Sequence, residues 1–179
     1  VNEMRVCEML RERPPHPNIC RYLGYVPTPD GEYVAALCFE RLHMNLVRAR
    51  DEGLPFDARG VVHAAHFALF HLHCVAYCHN YLRPYNVVLD KDGVPFLADF
   101  ETCYMIGDSL EGTRAQDNWT SDGGNDYHDL RKLHKWLDED DSSTTEEEED
   151  EEEEELASRS QPPEIPTSVI VEFRSIREV

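Results

Sequence analysis

The first 40 residues combine one helical pattern with two β-rich runs. In residues 2–13, apolar side chains recur at helical spacing between charged ones, which predicts an amphipathic helix that ends at Pro14. Its apolar positions are Val6, Cys7, Met9 and Leu10. Residues 18–26 and 32–39 are β-rich, and the Pro-Thr-Pro-Asp-Gly segment between them favours a turn. The pattern therefore predicts a helix followed by a β-hairpin.

Two more helical patterns follow the predicted hairpin. Residues 44–51 predict a short helix that ends at Gly53, and residues 57–77 predict a longer helix with Asp57 as its N-cap. The longer helix has one broad apolar face, made of Val61, Val62, Ala65, Ala68, Leu69 and Leu72. A face of this width is expected to be buried.

A second hairpin is predicted farther along the chain. Residues 86–89 and 95–98 form two short β-rich runs around an Asp-Gly pair, which favours a tight turn. Such a hairpin places Asp99 at the end of a strand. Residues 125–137 then return to helical spacing of apolar and aromatic side chains.

Acidic residues are concentrated near the end of the sequence. The net charge is −19, and 14 of the 36 acidic residues lie between Asp138 and Glu155, so the rest of the chain carries a charge of only −5. Like charges repel, and this block has almost nothing apolar to bury, so we expect residues 138–160 to be disordered. Residues 161–179 form a tail whose structure the pattern does not predict, apart from a β-prone run at 167–173.

The charge distribution also bears on partners and location. An acidic run is usually a solvated segment, and the alternative is a binding segment for a basic protein partner. We expect no nucleic acid partner, because the acidic surface would repel phosphates. No apolar run is long enough to span a membrane, and no signal-peptide pattern opens the chain. We therefore expect no membrane partner and an intracellular protein, cytoplasmic or nuclear, with reduced cysteines.

Two motifs carry the candidate chemistry. Residues 79–86 read His-Asn-Tyr-Leu-Arg-Pro-Tyr-Asn, and residues 98–101 read Ala-Asp-Phe-Glu. Asp99 follows Asn86 by thirteen positions, through the predicted hairpin. Together the motifs resemble the protein-kinase catalytic loop His-Arg-Asp-Leu-x-Pro-x-Asn and the downstream Asp-Phe-Gly. The resemblance extends over residues 1–137 and is closest to short fungal kinase-like proteins with His-Asn-Asp-Leu in this loop.

The resemblance implies an α+β, protein-kinase-like domain over residues 1–137. Residues 1–40 would form an incomplete N-lobe, with the αC helix and the fourth and fifth strands of that lobe. Residues 41–137 would form a reduced, mainly helical C-lobe. The glycine-rich loop and the lysine that hold ATP in this family would lie before Val1, so we expect residues upstream of this sequence to be missing.

ATP and Mg²⁺ are the cofactors that the resemblance implies. Phosphoryl transfer mainly requires positioning and charge neutralisation, and a carboxylate with an amide oxygen can hold Mg²⁺. Asp99 and Asn86 are that pair here, the alternatives being a surface aspartate and a turn asparagine. The resemblance also assigns nucleotide contacts to Glu40, Leu42 and Val88.

Further residues have structural roles in the resemblance. His79 and Phe100 would pack in the core beneath the loop. Asp126 would tie down the loop backbone, with an ordinary helix N-cap as the alternative. Glu3, with Glu8 as second choice, would be the αC glutamate that pairs with the ATP-binding lysine; either is otherwise a surface charge.

Three positions depart from an active kinase. Tyr81 stands where the catalytic aspartate belongs, and a phenol, which is protonated at neutral pH, cannot serve as that base. Arg83 replaces the usual lysine and keeps its charge but not its geometry. Glu101 replaces the glycine of Asp-Phe-Gly.

Two functions remain open from these residues. One is a pseudokinase that still binds ATP or Mg²⁺ and acts through interactions. The other is an active phosphotransferase, acting on Ser/Thr or a small molecule, whose N-lobe precedes this sequence.

A zinc site is a rival interpretation of the central segment, which holds His63, His66, His71, His73, Cys74, Cys78 and His79. Structural zinc sites usually take paired ligands from two separate segments, and the sequence offers no second pair at such a spacing. We therefore do not expect zinc.

Overall fold

The computed structural model of the protein describes residues 2–113 and 120–139. Residues 140–160 of the predicted acidic segment and the tail 161–179 lie outside this part of the chain. The described residues form four α-helices and seven short strands, which pair antiparallel in three small sheets. The α+β class predicted from the sequence is confirmed, and the assignment of kinase lobes stays a prediction.

The first elements are a helix and a hairpin. Helix α1 spans Asn2–Arg11 and buries Val6 and Cys7. Strand β1 (Tyr22–Pro27) pairs antiparallel with β2 (Val34–Phe39). Both elements were predicted, although α1 ends before Pro14 and β1 starts after a turn at residues 16–19.

A short strand precedes the second helix. Strand β3 (Met44–Asn45) leads into α2 (Leu46–Asp51), so the helix predicted over 44–51 begins two residues late. The side chain of Asn45 accepts a hydrogen bond from the backbone N–H of Arg48 at 2.9 Å. This N-cap satisfies one of the unpaired donors at the helix start and fixes where the helix begins.

The longest helix is shorter than its apolar pattern suggested. Helix α3 spans Ala58–Cys74 with Asp57 at the N-cap position. It ends because Ala76 takes a left-handed backbone conformation, with φ of +63°. The apolar residues that follow then form β4 (Tyr77–Cys78) rather than a last helical turn.

The second predicted hairpin is present. A 3₁₀ turn, Pro84–Asn86, leads into β5 (Val87–Leu89), which pairs with β6 (Pro95–Leu97) and, on its other edge, with β3. At the turn, Gly93 has a φ of +81°, a conformation that a side chain would strain. The Asp-Gly signal in the sequence is thus explained by the backbone.

The last elements close the described part of the chain. Strand β7 (Tyr104–Met105) pairs with β4, and helix α4 spans Gly123–Asp138. The N-cap of α4 is Asp122, whose side chain accepts from Gly124 N–H at 2.6 Å.

One hydrophobic core joins these elements. It holds buried side chains of all four helices together with those of β5 and β6. Its largest fully buried members are Phe100, Leu46, Leu69, Leu72, Leu82, Leu97 and Leu133. Leu82 and Phe100 come from the two motifs, so the candidate site is built directly on this core.

Candidate functional site

The β5–β6 hairpin brings the two motifs together. Val87 pairs with Leu97, and the next pair in register is linked by a hydrogen bond from Ala98 N–H to the Asn86 carbonyl oxygen at 2.8 Å. Asp99 follows Ala98, so the backbones of Asn86 and Asp99 lie at the same end of the hairpin. Asp99 has a φ of +66°, which breaks the strand conformation at this position.

The side chain of Asn86 is oriented by its own loop. The residue is 7% exposed, and its Nδ2 donates to the Tyr81 carbonyl oxygen at 2.8 Å. An amide that donates through nitrogen keeps its oxygen as an acceptor. Asn86 therefore presents the type of atom that a hard divalent cation prefers.

Asp126 holds the loop backbone from α4. It is fully buried and accepts hydrogen bonds from His79 N–H at 3.0 Å and Asn80 N–H at 2.7 Å. Its Oδ2 also lies 2.7 Å from His73 Nε2. The alternative that Asp126 is a helix N-cap is wrong, because Asp122 occupies that position.

The ring of His79 lies in the core beneath the loop. Its Nε2 is 3.1 Å from the Ala98 carbonyl oxygen, which can only accept, so Nε2 carries the hydrogen. The ring meets that of Phe100 edge to face, with centroids 5.8 Å apart. Nδ1 is buried and has no hydrogen-bond partner within the described ranges. The His79 side chain is thus enclosed and positions neighbours rather than facing a substrate.

Asn80 is a buried residue whose role the sequence analysis missed. It has a φ of +60°, and its Nδ2 lies within 3.1 Å of the carbonyl oxygens of Cys78 and Thr102 and of Ser121 Oγ. Its Oδ1 accepts from Asn125 Nδ2 at 3.0 Å. One side chain therefore joins the loop to the segment after Phe100 and to the start of α4.

The two glutamates of helix α1, Glu3 and Glu8, have different partners. Glu3 Oε1 accepts from Phe100 N–H at 3.3 Å, next to Asp99. Glu8 accepts from the Tyr22 hydroxyl at 3.0 Å and pairs with Arg11 at 2.7 Å. Burial, followed by the hydrogen bond to Glu8, raises the pKa of Tyr22 to about 12. Of the two glutamates, Glu3 is the one near the motifs.

The side chain of Arg83 contacts both helix α4 and its own loop. Its Nη1 donates to Asp129 Oδ1 at 2.7 Å and to the Leu82 carbonyl oxygen at 3.1 Å, and its guanidinium carbon lies 4.7 Å from the centre of the Tyr81 ring. Asp129 is nearly buried, so it needs this partner. The charge of Arg83 is therefore partly compensated by α4, and the Tyr81 ring is packed against a cation.

Two of the three predicted nucleotide-contact residues lie at the sheet of β3, β5 and β6, and the third is bound to the first hairpin. Val88 is half-buried on β5, two positions after Asn86. Leu42 is half-buried, and its neighbour His43 donates its N–H to the Leu89 carbonyl oxygen, which places Leu42 beside the same sheet. Glu40 instead uses Oε1 to accept from the N–H of Arg21 at 2.9 Å. Its carboxylate is thus bound to the first hairpin.

One group of possible metal ligands combines His73, Cys78 and Asp126, whose ligand atoms lie within 4.8 Å of one another. Burial, and then the charge of Asp126, raises the pKa of the Cys78 thiol to about 12, whereas zinc needs the thiolate. Both oxygens of Asp126 already accept hydrogen bonds. This group therefore fits a hydrogen-bonded anchor better than a metal centre.

The residues that the sequence analysis missed share a feature. The side chains of His73, Asn80 and Asp129 contact partners at least 22 positions away in the sequence, apart from the bond of Asn80 to Cys78 and the longer contact of Asp129 with Lys132 at 3.9 Å. A polar residue inside an apolar segment, such as His73 on α3, indicates from sequence that a polar side chain is buried. It does not indicate which residue the side chain contacts.

Comparisons with known proteins support the resemblance in its coarse form. No family model matches the chain. The chain is 32% identical over 117 residues to Serine/threonine-protein kinase/endoribonuclease IRE1 of Hypocrea jecorina (strain QM6a), a match that covers 58% of the chain. The chain spans only 9% of the length of that relative. This similarity supports a protein-kinase-like relationship.

The lengths and hydropathies of the described helices fall short of those of membrane spans. None of the helices within residues 2–113 and 120–139 is long and apolar enough to cross a bilayer.

Proposed function

We propose that this chain is a kinase-like binding domain, a pseudokinase that holds a nucleotide with Mg²⁺ and acts through interactions instead of phosphate transfer. One observation carries the proposal. The hairpin places Asn86 and Asp99 at one end, while the adjacent loop position that would supply the base is Tyr81.

The residues present fit a divalent cation. The carboxylate of Asp99 and the amide oxygen of Asn86 are oxygen ligands, which Mg²⁺ takes in preference to nitrogen or sulfur. Bound Mg²⁺ would neutralise phosphate charge, and Val88 would give a nucleotide an apolar contact next to it. The contacts of Asp126 and Asn80 keep the loop in place without a ligand, which lowers the cost of ordering it on binding.

The loss of catalysis follows from Tyr81 and its neighbour. A phenol stacked on the Arg83 guanidinium cannot take a proton from a substrate hydroxyl as a carboxylate does. Removal of a positioned base typically lowers a rate by about two to four orders of magnitude. Binding does not need that base, so it can persist.

A thermal-shift titration with ATP, with and without Mg²⁺, tests the proposal. We expect a rise in melting temperature that needs both ligands and is lost in Asn86→Ala and Asp99→Asn. Asp92→Asn, in the exposed turn of the same hairpin, is the matched control and should behave like the unaltered chain. A flat response at millimolar ATP and Mg²⁺ would reject the nucleotide part.

An active phosphotransferase is the second candidate, and the anchoring of the loop by Asp126 favours it, because catalysis requires fixed groups. Transfer of label from γ-labelled ATP, measured with a protein that also carries the upstream N-lobe this second candidate requires, distinguishes the two. Transfer by the unaltered chain that disappears in Asp99→Asn would support this second candidate and overturn the first. No transfer by the unaltered chain, with transfer in Tyr81→Asp, would support the pseudokinase.

A further inference from the structure

A pocket of about 390 Å³ opens between α1, the proline-rich turn after it, and β1. Its apolar walls include Leu10, Ile19, Tyr22 and Phe96. Neither Asn86 nor Asp99 lines it, although Phe100, which follows Asp99, and Glu40 do. A volume of this size lies within the range of small-molecule pockets.

The charged groups around the pocket are mostly cationic. Among the described residues, Arg11, Arg13, Arg21 and Glu40 line it, and Arg11 is paired with Glu8 just outside the lining at 2.7 Å. Glu40 Oε1 already accepts from the backbone N–H of Arg21, and Arg13 Nη1 donates to the Met9 carbonyl oxygen at 2.6 Å. A guanidinium has five N–H donors, so a single bond leaves Arg13 able to donate to a ligand as well.

Two imidazole rings line one part of the pocket. The rings of His16 and His71 are 5.0 Å apart and tilted by 37°. Burial of the His16 ring, and to a smaller extent the neighbouring His71, lowers the pKa of His16, which favours the neutral ring. Tyr22 and Phe96 also line the pocket. Aromatic rings pack well against other flat rings.

We propose that this pocket binds a small, flat aromatic anion, with its ring between the imidazole and phenyl walls and its negative group at Arg13 and Arg21. The apolar walls favour burial of the ring, and the excess of guanidinium groups selects the anion over a neutral analogue. The inference does not rest on the nucleotide proposal, because neither Asn86 nor Asp99 takes part in it.

Titration of the full chain with 2-naphthoate and its neutral analogue naphthalene-2-carboxamide, followed by NMR, tests the site. We expect naphthoate to bind roughly tenfold more tightly, as charge-assisted hydrogen bonds to arginine are strong. Amide signals of Leu10 and Phe96 should shift, and that of Asn86 should not.

Arg13→Gln should remove most of the preference for the anion. Arg5→Gln, on the exposed side of α1 and outside the pocket, is the matched control and should retain it. Arg21 is exposed, so Arg21→Gln provides a second variant that should fold if Arg13→Gln does not. Equal binding of the two ligands, or equal losses in the Arg5 and Arg21 variants, would overturn the proposal.

Discussion

The loop of residues 79–86 and the β1–β2 hairpin are held in opposite ways. The loop has buried polar anchors: Asp126, Asn80 and His79 make several hydrogen bonds to groups far away in sequence. The hairpin has fewer buried contacts: Tyr22 is buried, and Leu37 and Phe39 pack against the core. Its other large side chains are solvated, with Leu23, Tyr25 and Tyr33 exposed by 54%, 51% and 69%.

This difference indicates which of the two regions has its conformation fixed by buried hydrogen bonds. A buried donor or acceptor that loses its partner costs about 1–3 kcal/mol, so each anchor of the loop penalises other arrangements. A two-stranded hairpin with exposed faces gains little from burial and is marginal by itself. We infer that the loop keeps its geometry while the hairpin contributes little to the free energy of unfolding.

Removal of the central anchor should have the largest effect. Asp126→Ala leaves two backbone N–H groups buried without an acceptor, so we expect a loss of about 3–5 kcal/mol in the free energy of unfolding. Urea denaturation measures it. Asp122→Ala, at the exposed N-cap of the same helix, should cost only about 1 kcal/mol. Equal losses in the two variants would mean that the loop is not anchored as described.

Thiol labelling compares the two regions through their cysteines. Cys78 and Cys103 lie in the anchored region; burial raises the pKa of Cys78 to about 12 and that of Cys103 well above its usual range. At pH 8 a rise from 9 to 12 lowers the thiolate fraction about a thousandfold, and the labelling rate with it. Half-buried Cys38, on β2, should react within about tenfold of its rate in unfolded chain. Mass spectrometry after timed alkylation measures the labelling rate of each cysteine. Similar rates for Cys38 and Cys78 would mean that the two regions do not differ in protection.

The ion pair between the loop and α4 should have an intermediate effect. A double-mutant cycle of Arg83→Gln and Asp129→Asn should give a coupling of about 1 kcal/mol, since Asp129 is buried and Arg83 is partly exposed. The exposed pair Arg48 and Glu52 is the control, and its coupling should be about 0.3–0.5 kcal/mol. A coupling at Asp129 no larger than this would remove the proposed link between α4 and the loop.

Substitutions in the hairpin should have the smallest effect. Tyr33→Ser and Leu23→Ser change exposed side chains, so each should alter the free energy of unfolding by no more than about 0.5 kcal/mol. Urea denaturation again measures the change. A loss above 2 kcal/mol from either variant would show that the hairpin is packed against a surface that the described residues do not contain.

Local signals made much of this fold predictable. Helical spacing of apolar residues indicated α1, α3 and α4, and the Asp-Gly pair indicated the hairpin that carries Asn86 and Asp99. The two-residue strands β3, β4 and β7 were not predictable, because their pairing depends on contacts far away in sequence. The end of α3 was misjudged for a related reason, since apolar residues continue past Ala76 into β4.

The two motifs of the candidate site were predictable from the sequence, but the residues that hold the loop in place were not. The positions of Asn86 and Asp99 followed from spacing, because a hairpin fixes which residues meet at its end. Asn80 and Asp129 have polar side chains that are ordinary for exposed loops and helices, and only the folded chain places Thr102 or Arg83 against them. Their burial is a property of the packing around them.

Paramagnetic broadening by Mn²⁺, a substitute for Mg²⁺, tests whether Asn86 and Asp99 hold a divalent cation together. In the ¹H–¹⁵N spectrum of the full chain with ATP present, the amide signals of Asn86 and Asp99 should broaden at the lowest Mn²⁺ concentrations. Excess Mg²⁺ should restore them, and Asp99→Asn should prevent the effect. Broadening confined to acidic residues 138–155, with sharp signals at Asn86 and Asp99, would contradict the proposed metal site.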